Sequence, residues 1–178
     1  MRKVFVFVIA GLLITTIVAT AALAQGNGAR HASAALLDPA GNVVGEAKFT
    51  EDAAGKLHVN VKVEGISPGL HGIHLHAVGS CSPTFAAAGG HHNPLARQHG
   101  LDNPSGAHSG DLPNLVVNGA GRGHLTAVSD RATLSQGPAT LFDTDGSSVV
   151  IHAGEDDQVT DPTGNSGGRI VCGVITLN

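Results

Sequence analysis

The chain has 178 residues and a formal charge of −4, enough for one ordinary domain with a real core. It carries no Trp or Tyr and only five Phe. The acidic balance argues against nucleic acid or an anionic membrane surface as partner, and the missing aromatics exclude base stacking.

Arg2 and Lys3 precede a nearly unbroken apolar run from Val4 to Ala22. Ala22-Leu23-Ala24 then fits the small-x-small rule of signal peptidase, with cleavage before Gln25. Residues 1–24 are therefore read as a signal peptide, with an uncleaved signal anchor as the alternative and no other membrane contact. Loss of Arg2 and Lys3 leaves eight Lys/Arg against fourteen Asp/Glu, a net charge of −6. Export places the protein in a periplasm or outside the cell. There, two cysteines most simply form one disulfide, two free thiols being the alternative.

Residues 25–30 read as a polar, mobile lead-in to a domain spanning 31–178. His31 to Asp38 is the first strand candidate, and Pro39-Ala40-Gly41-Asn42 a turn. Val43 to Thr50 follows as a strand, then a turn at Asp52-Ala53-Ala54-Gly55. Leu57 to Glu64 alternates without fault, apolar at odd and polar at even positions, as a sheet with one wet face requires. In His74-Leu75-His76 the two imidazoles share one strand face, because side chains at i and i+2 point the same way.

From Ser80 to Asp111 no periodicity is visible, and the segment is rich in Gly, Pro, Ala and His. A loop this long inside a compact domain is usually functional. Leu112 to Asn118 and Gly121 to Ser129 read as a hairpin around Asn118-Gly119. Ser148 to His152 is a short apolar strand, Ala153 to Gly168 a second long loop, and Ile170 to Leu177 the last strand. About eight short strands with turn chemistry and no helical stripe predict an all-β antiparallel sandwich or barrel, with two long loops on which a site is built. The first loop carries His91, His92, His99, His108 and Asp111. Imidazoles with a carboxylate suit a tetrahedral zinc site, the other reading being a solvated His-rich loop.

Six pieces, in order, resemble copper–zinc superoxide dismutases. They are Leu70-His71-Gly72-Ile73-His74-Leu75-His76, Gly90-His91-His92-Asn93-Pro94-Leu95, Gln98-His99-Gly100, Ala107-His108-Ser109-Gly110-Asp111-Leu112-Pro113-Asn114, Val150-Ile151-His152 and Gly164 through Ile175. The resemblance implies an eight-stranded antiparallel Greek-key β-barrel of the immunoglobulin-like sandwich type. It implies copper held by His74, His76, His91 and His152, and zinc held by His91, His99, His108 and Asp111, with His91 shared. It further implies a disulfide between Cys81 and Cys172, an outer aspartate at Asp156 linking the two ligand sets, and an arginine beside copper at Arg169. The implied reaction converts superoxide to dioxygen and hydrogen peroxide. Copper is alternately reduced and oxidised while His91 takes and returns a proton. The alternative is a non-catalytic copper- and zinc-binding module on the same scaffold.

The remaining histidines take plainer readings: surface for His31, His58 and His124, scaffold for His71, and an unassigned role for His92. Asp102, Asp157 and Asp161 are read as solvated loop residues. Only four residues separate His76 from Cys81, where many family members have a longer segment that contributes to a dimer, so a monomer or a homodimer is expected. The second loop holds Glu155, Asp156, Asp157 and Asp161 but no Lys or Arg. Attraction of an anionic substrate is therefore expected to rest on Arg169 and the metals.

Overall fold

The computed structural model describes Met1 and residues 29–178. The signal peptide expected at 1–24 and most of the lead-in lie outside the described residues. Among the described residues, no helix is long and apolar enough to cross a membrane.

β3 (Leu57–Glu64) shows why this chain makes a barrel. Leu57, Val59, Val61 and Val63 are buried, while His58, Lys62 and Glu64 face water. Its neighbours β2 (Val43–Glu51) and β7 (Arg122–Ser129) bring Phe49 opposite Val59 and Leu125 opposite Val61, so three inward rows mesh. β1 (Arg30–Leu37) continues the wall, adding Ala32, Ala34 and Leu36 to the core. The other strands are β4 (Gly69–His71), β5 (Ile73–His76), β6 (Leu115–Val117), β8 (Ser148–His152), β9 (Arg169–Val174) and the two-residue β10 (Thr176–Leu177).

The antiparallel order is β4-β6-β7-β3-β2-β1-β9-β8-β5, with β10 beside β1. β4 and β5 are two halves of one stretch interrupted at Gly72, so the order begins and ends on the same piece of chain and the barrel nearly closes. Counted once, that stretch makes eight strands, with β10 as a short addition; the all-β fold is the one expected from the sequence. Fully buried Phe49, Leu36, Leu57, Ile73, Leu75 and Ile151 fill the interior, each stabilising by about 1.5–3 kcal/mol.

One end of the barrel is plugged by Ala132, Leu134 and Leu141. The carboxylate of Glu51, at the end of β2, fixes this plug by accepting from Leu134 N, Ser135 N and Ser135 Oγ. Burial works against its charge, but these donors outweigh burial and hold the carboxyl below its usual range. Three details differ from expectation. β1 starts one residue early, because β2 runs through Glu51 and gives Arg30 a partner. β6 is shorter than 112–118, because Leu112 O and the Asn114 side chain are bonded to the second long loop instead. Within 80–111, Phe85–Ala88 forms one 3-10 turn.

Cys81 and Cys172 are joined, 91 residues apart, tying the first long loop to β9. Chain-entropy reasoning gives such a closure at most about 4–5 kcal/mol.

Candidate metal centre

All four residues of β5 are buried, because both of its edges are covered. β8 pairs with one edge. Along the other lies the first long loop, through Leu75 N to Gly110 O (2.9 Å), His92 N to Leu75 O (2.8 Å) and Gly110 N to His92 O (2.8 Å). Position 110 must be glycine here, since a Cβ would run into the carbonyl of Leu75. These bonds set His91 opposite His76 and Asp111 opposite His74. His152 arrives at the end of β8, with Arg169 of β9 as its cross-strand partner.

Four rings thereby converge. His74 stacks on His91 at a centroid distance of 3.8 Å, and His152 lies 4.9 Å from His74 and 5.7 Å from His76. One nitrogen of each ring is fixed. His74 Nε2 lies 2.6 Å from Asp156 Oδ2, His76 Nδ1 3.0 Å from Gly89 O, His91 Nδ1 3.1 Å from Asp111 Oδ1 and His152 Nδ1 3.1 Å from Gly167 O. The other nitrogen of each ring, Nδ1 of His74 and Nε2 of His76, His91 and His152, is buried without a hydrogen-bond partner. One ligand atom from each of the four lies within 4.8 Å of the others. An unsatisfied buried polar atom costs about 1–3 kcal/mol, so four gathered together describe a place built for something else. Burial pushes His74 down to about 3, His76 to about 2 and His152 to about 4, and it also lowers His91. These rings are neutral near pH 7, with lone pairs free to coordinate.

A second cluster is centred on Asp111, which is fully buried. Its Oδ1 lies 3.1 Å from His91 Nδ1, 3.0 Å from His99 Nδ1 and 3.4 Å from His108 Nδ1, while His91 Nδ1 and His108 Nδ1 are 3.3 Å apart. Ligands 2.0–2.1 Å from zinc in a tetrahedron stand roughly 3.3 Å from one another, so these separations suit such an ion. Distance alone also admits His74 with His91, His99 and Asp111. Its Nε2 is held by Asp156 and its Nδ1 belongs to the first cluster, whereas His108 Nδ1 stands near both Asp111 Oδ1 and His91 Nδ1. The Asp111 carboxyl is held far below its usual range, its hydrogen-bonded histidines and backbone donors outweighing burial. Burial opposes charge on His99, but carboxylates on both ring nitrogens, Asp111 and Asp156, outweigh it and push that ring up to about 9.

A family model for copper/zinc superoxide dismutase (SODC) matches residues 43–175. The chain belongs to the copper/zinc superoxide dismutase family. It is 40% identical over 147 residues to superoxide dismutase [Cu-Zn] 2 of Aquifex aeolicus, covering 81% of this chain and 85% of that protein. It is 39% identical over 146 residues to the superoxide dismutase-like protein YojM of Bacillus subtilis, covering 80% of this chain and 74% of that one. The crystal structure of a SOD-like protein from Bacillus subtilis superposes with a TM-score of 0.76 at 38% identity, covering 80% of this chain and 96% of that chain.

In this dismutase-family chain the two clusters are tied together by Asp156, whose Oδ1 lies 3.0 Å from His99 Nε2 while its Oδ2 meets His74. Asn114 grips the backbone of Asp156 from both sides, donating to its O (2.8 Å) and accepting from its N (2.9 Å). Gly72 allows this close approach, since a Cβ there would stand 2.7 Å from Ser166 Cβ and 3.1 Å from Asp156 Cβ. Arg131 Nη2 donates to Asp111 O at 3.1 Å, clamping the carboxylate's backbone from the barrel side. Asn114, Gly72 and Arg131 carried no role in the sequence reading. Glycines and exposed-type polar residues look alike along a chain until the fold shows what approaches them.

Arg169 donates from Nη1 to Phe85 O (2.6 Å) and from Nη2 to Gly89 O (2.5 Å), the same carbonyl that fixes His76. It lines a cleft of about 530 Å³ together with His76, His91 and His152. The other histidines fall elsewhere. His31, His58 and His124 are exposed. His71 lies between the carbonyls of His152 (2.7 Å) and Ser67 (2.8 Å), a scaffold position. His92 is buried apart from both clusters, against Ala139. Asp102 is exposed, and Asp157 folds its carboxylate onto Val159 N and Thr160 N within its own loop. Asp161 is exposed, as its loop reading expects, but it also makes contacts that reading lacked. Its Oδ1 accepts from His99 N at 2.6 Å and lies 3.6 Å from His108 Nε2, because the second loop folds back over the first.

Proposed function

We propose that the protein is a copper–zinc superoxide dismutase, converting two superoxide ions and two protons to dioxygen and hydrogen peroxide. The observation that carries this is the set of four buried, unpartnered imidazole nitrogens on His74, His76, His91 and His152 beside an open cleft. A four-nitrogen set suits copper, and imidazole accepts both of its redox states. Three imidazoles and a carboxylate, His91, His99, His108 and Asp111, saturate zinc and leave no open position, which assigns zinc a structural and electrostatic part. Copper, when bound, supplies the one-electron couple that takes an electron from one superoxide and gives it to the next.

The chain's residues do the rest. His91 is the ring with a nitrogen in each cluster, and its Nε2 is the atom that holds a proton in the reduced half of the cycle and yields it to the peroxide product. Arg169 stands in the cleft as a fixed cation that binds and orients the anion by charge and hydrogen bonds. Asp156 sets the ring planes of His74 and His99 and so couples the two ligand sets. The fixed nitrogens prevent the four rings from rotating when the site is empty.

A second reading, a copper- and zinc-binding module without turnover, is favoured by one observation: relatives in the 38–39% identity range carry the name superoxide dismutase-like. Metal content coupled to superoxide disappearance, before and after copper loading, separates the two. Copper-dependent disappearance supports the dismutase. Full copper and zinc with no disappearance supports the module. Arg169→Ala slows turnover by about 10-fold or more while copper stays bound, on the scale of one lost electrostatic donor. We also infer export, cleavage after residue 24 and residence in a periplasm or extracellular space as monomer or homodimer, a reading that the Cys81–Cys172 disulfide supports.

A further inference from the structure

Of the clustered imidazoles, only His91 spends both nitrogens within the clusters; each of the others turns one nitrogen outward. His74 Nε2 and His99 Nε2 meet Asp156 at 2.6 and 3.0 Å, while His76 Nδ1 meets Gly89 O and His152 Nδ1 meets Gly167 O at 3.0 and 3.1 Å. His108 is the exception. Its Nδ1 faces Asp111 and His91. Among the described residues, its outward Nε2 makes no hydrogen bond, and the one carboxylate within 4.0 Å of it is Asp161, with Oδ1 at 3.6 Å.

The second long loop holds this carboxylate in place. Asp157 Oδ1 accepts from Thr160 N (2.8 Å) and Gly164 N donates to Thr160 O (2.7 Å), so the turn that carries Asp161 is bonded to itself. Asp102 N donates to Gln158 O (3.0 Å) and Asn103 Nδ2 to Val159 O (3.1 Å), which fastens the turn to the first loop. Asp157 spends its carboxylate inside its own loop, on Val159 N, Thr160 N and Asn165 Nδ2. Asp161 instead reaches across: its Oδ1 accepts from His99 N at 2.6 Å and faces the ring of His108. One oxygen thus touches the backbone of one residue of the zinc set and stands before the imidazole of another.

We propose that Asp161 is a positioning residue of the zinc cluster, serving His108 as Asp156 serves His99; the inference rests on the zinc reading above. When Nδ1 is given to a metal, a neutral imidazole carries its proton on Nε2. A negative oxygen facing that proton favours the tautomer, orients the ring and makes Nδ1 a stronger ligand. At 3.6 Å the pair acts through charge rather than a full hydrogen bond, and water screens a carboxylate that is partly exposed. The effect therefore sits at the low end of the range for outer partners of metal ligands.

Zinc affinity of the full chain, read by competition with a chelator, tests this. Asp161→Asn keeps an acceptor for His99 N and removes the charge, and zinc affinity falls about 10-fold. Asp161→Ala removes both and lowers it further, toward about 100-fold. Copper affinity changes less than about twofold in either variant, because the copper rings have other partners. A second readout separates positioning from mere support of the loop. Cobalt(II) is placed in the zinc cluster of protein whose copper is kept reduced and colourless. Its visible bands move to longer wavelength in Asp161→Asn, since a less basic Nδ1 weakens the ligand field; support of the loop alone would leave them in place. Zinc affinity unchanged in Asp161→Asn, or cobalt bands that do not move, overturns the proposal. His108→Ala tells this failure from that of the zinc reading. If His108→Ala leaves zinc affinity at the wild-type level, the zinc assignment fails and the proposal falls with it. If His108→Ala costs more than about 100-fold while Asp161→Asn costs nothing, the proposal alone is overturned.

Discussion

The rings of His74, His76 and His152 and the ring of His99 lie in one buried cluster, yet their proton affinities diverge. Burial drives the first three down to about 3, 2 and 4, whereas two carboxylates overcome burial and drive His99 up to about 9. The difference lies in the partners. The first three each have one nitrogen fixed and one left bare, so they wait as neutral lone pairs. His99 has an oxygen of Asp111 on one nitrogen and of Asp156 on the other, and together these carboxylates favour its protonated form in the metal-free protein. One half of the centre is preset for a metal, and the other must exchange a proton for one.

Removing Asp111 attacks this contrast most directly. Asp111→Ala leaves the second cluster with imidazoles alone and takes one counter-charge from His99. Zinc affinity falls by more than about 100-fold, beyond the effect of an outer-sphere partner, while copper affinity falls less than tenfold. Competition with a chelator measures both, and equal losses would erase the distinction between the halves. Asp156→Asn strikes the link between them. It lowers affinity for both metals by about 10–100-fold and brings the His99 titration down from about 9, read by NMR on the metal-free protein.

The stability of the metal-free protein against pH shows both halves at once. His74, His76 and His152 have folded-state values below the unfolded 6.5, so the unfolded chain binds more protons below that pH. Their contribution is complete above pH 6.5 and is lost as pH falls toward about 4 and 3. His99 runs the other way. Its contribution is complete below pH 6.5 and is lost as pH rises through about 9. The denaturation midpoint therefore peaks near pH 6.5, and zinc, by displacing the His99 proton, abolishes the alkaline decline. A decline that survives zinc would place the proton elsewhere. The smallest effect belongs to Arg131→Met, which removes the donor to Asp111 O. Stability drops by about 1 kcal/mol in urea unfolding, with metal stoichiometry unchanged.

The barrel was legible because its information is local. Alternation in Leu57–Glu64 and Arg122–Ser129 reports which face is wet, and turn residues report where strands end. The spacing of His74 and His76 likewise put two rings on one face. What period-two reasoning could not supply was the cover over the second edge of β5. That cover consists of backbone bonds from residues 92 and 110, which constrain the sequence only by requiring glycine at position 110. The resemblance to a family pointed to residues in that cover, but not to the clamps around them. Arg131, Asn114 and Asp161 reach the centre across about 20 to 62 residues of chain. Nothing in the neighbourhoods of Arg131 and Asp161 distinguishes them from solvated loop residues, and the family-like piece that ends at Asn114 does not reveal its partner.

Stepwise copper addition to the zinc-loaded protein, with superoxide consumption read at each step, tests the central claim most directly. Activity that rises linearly and breaks at one copper per chain, and is lost in His152→Ala, is the predicted result. Copper that binds at one equivalent with His74, His76, His91 and His152 intact, yet leaves superoxide consumption at the level of the copper-free protein, would contradict it.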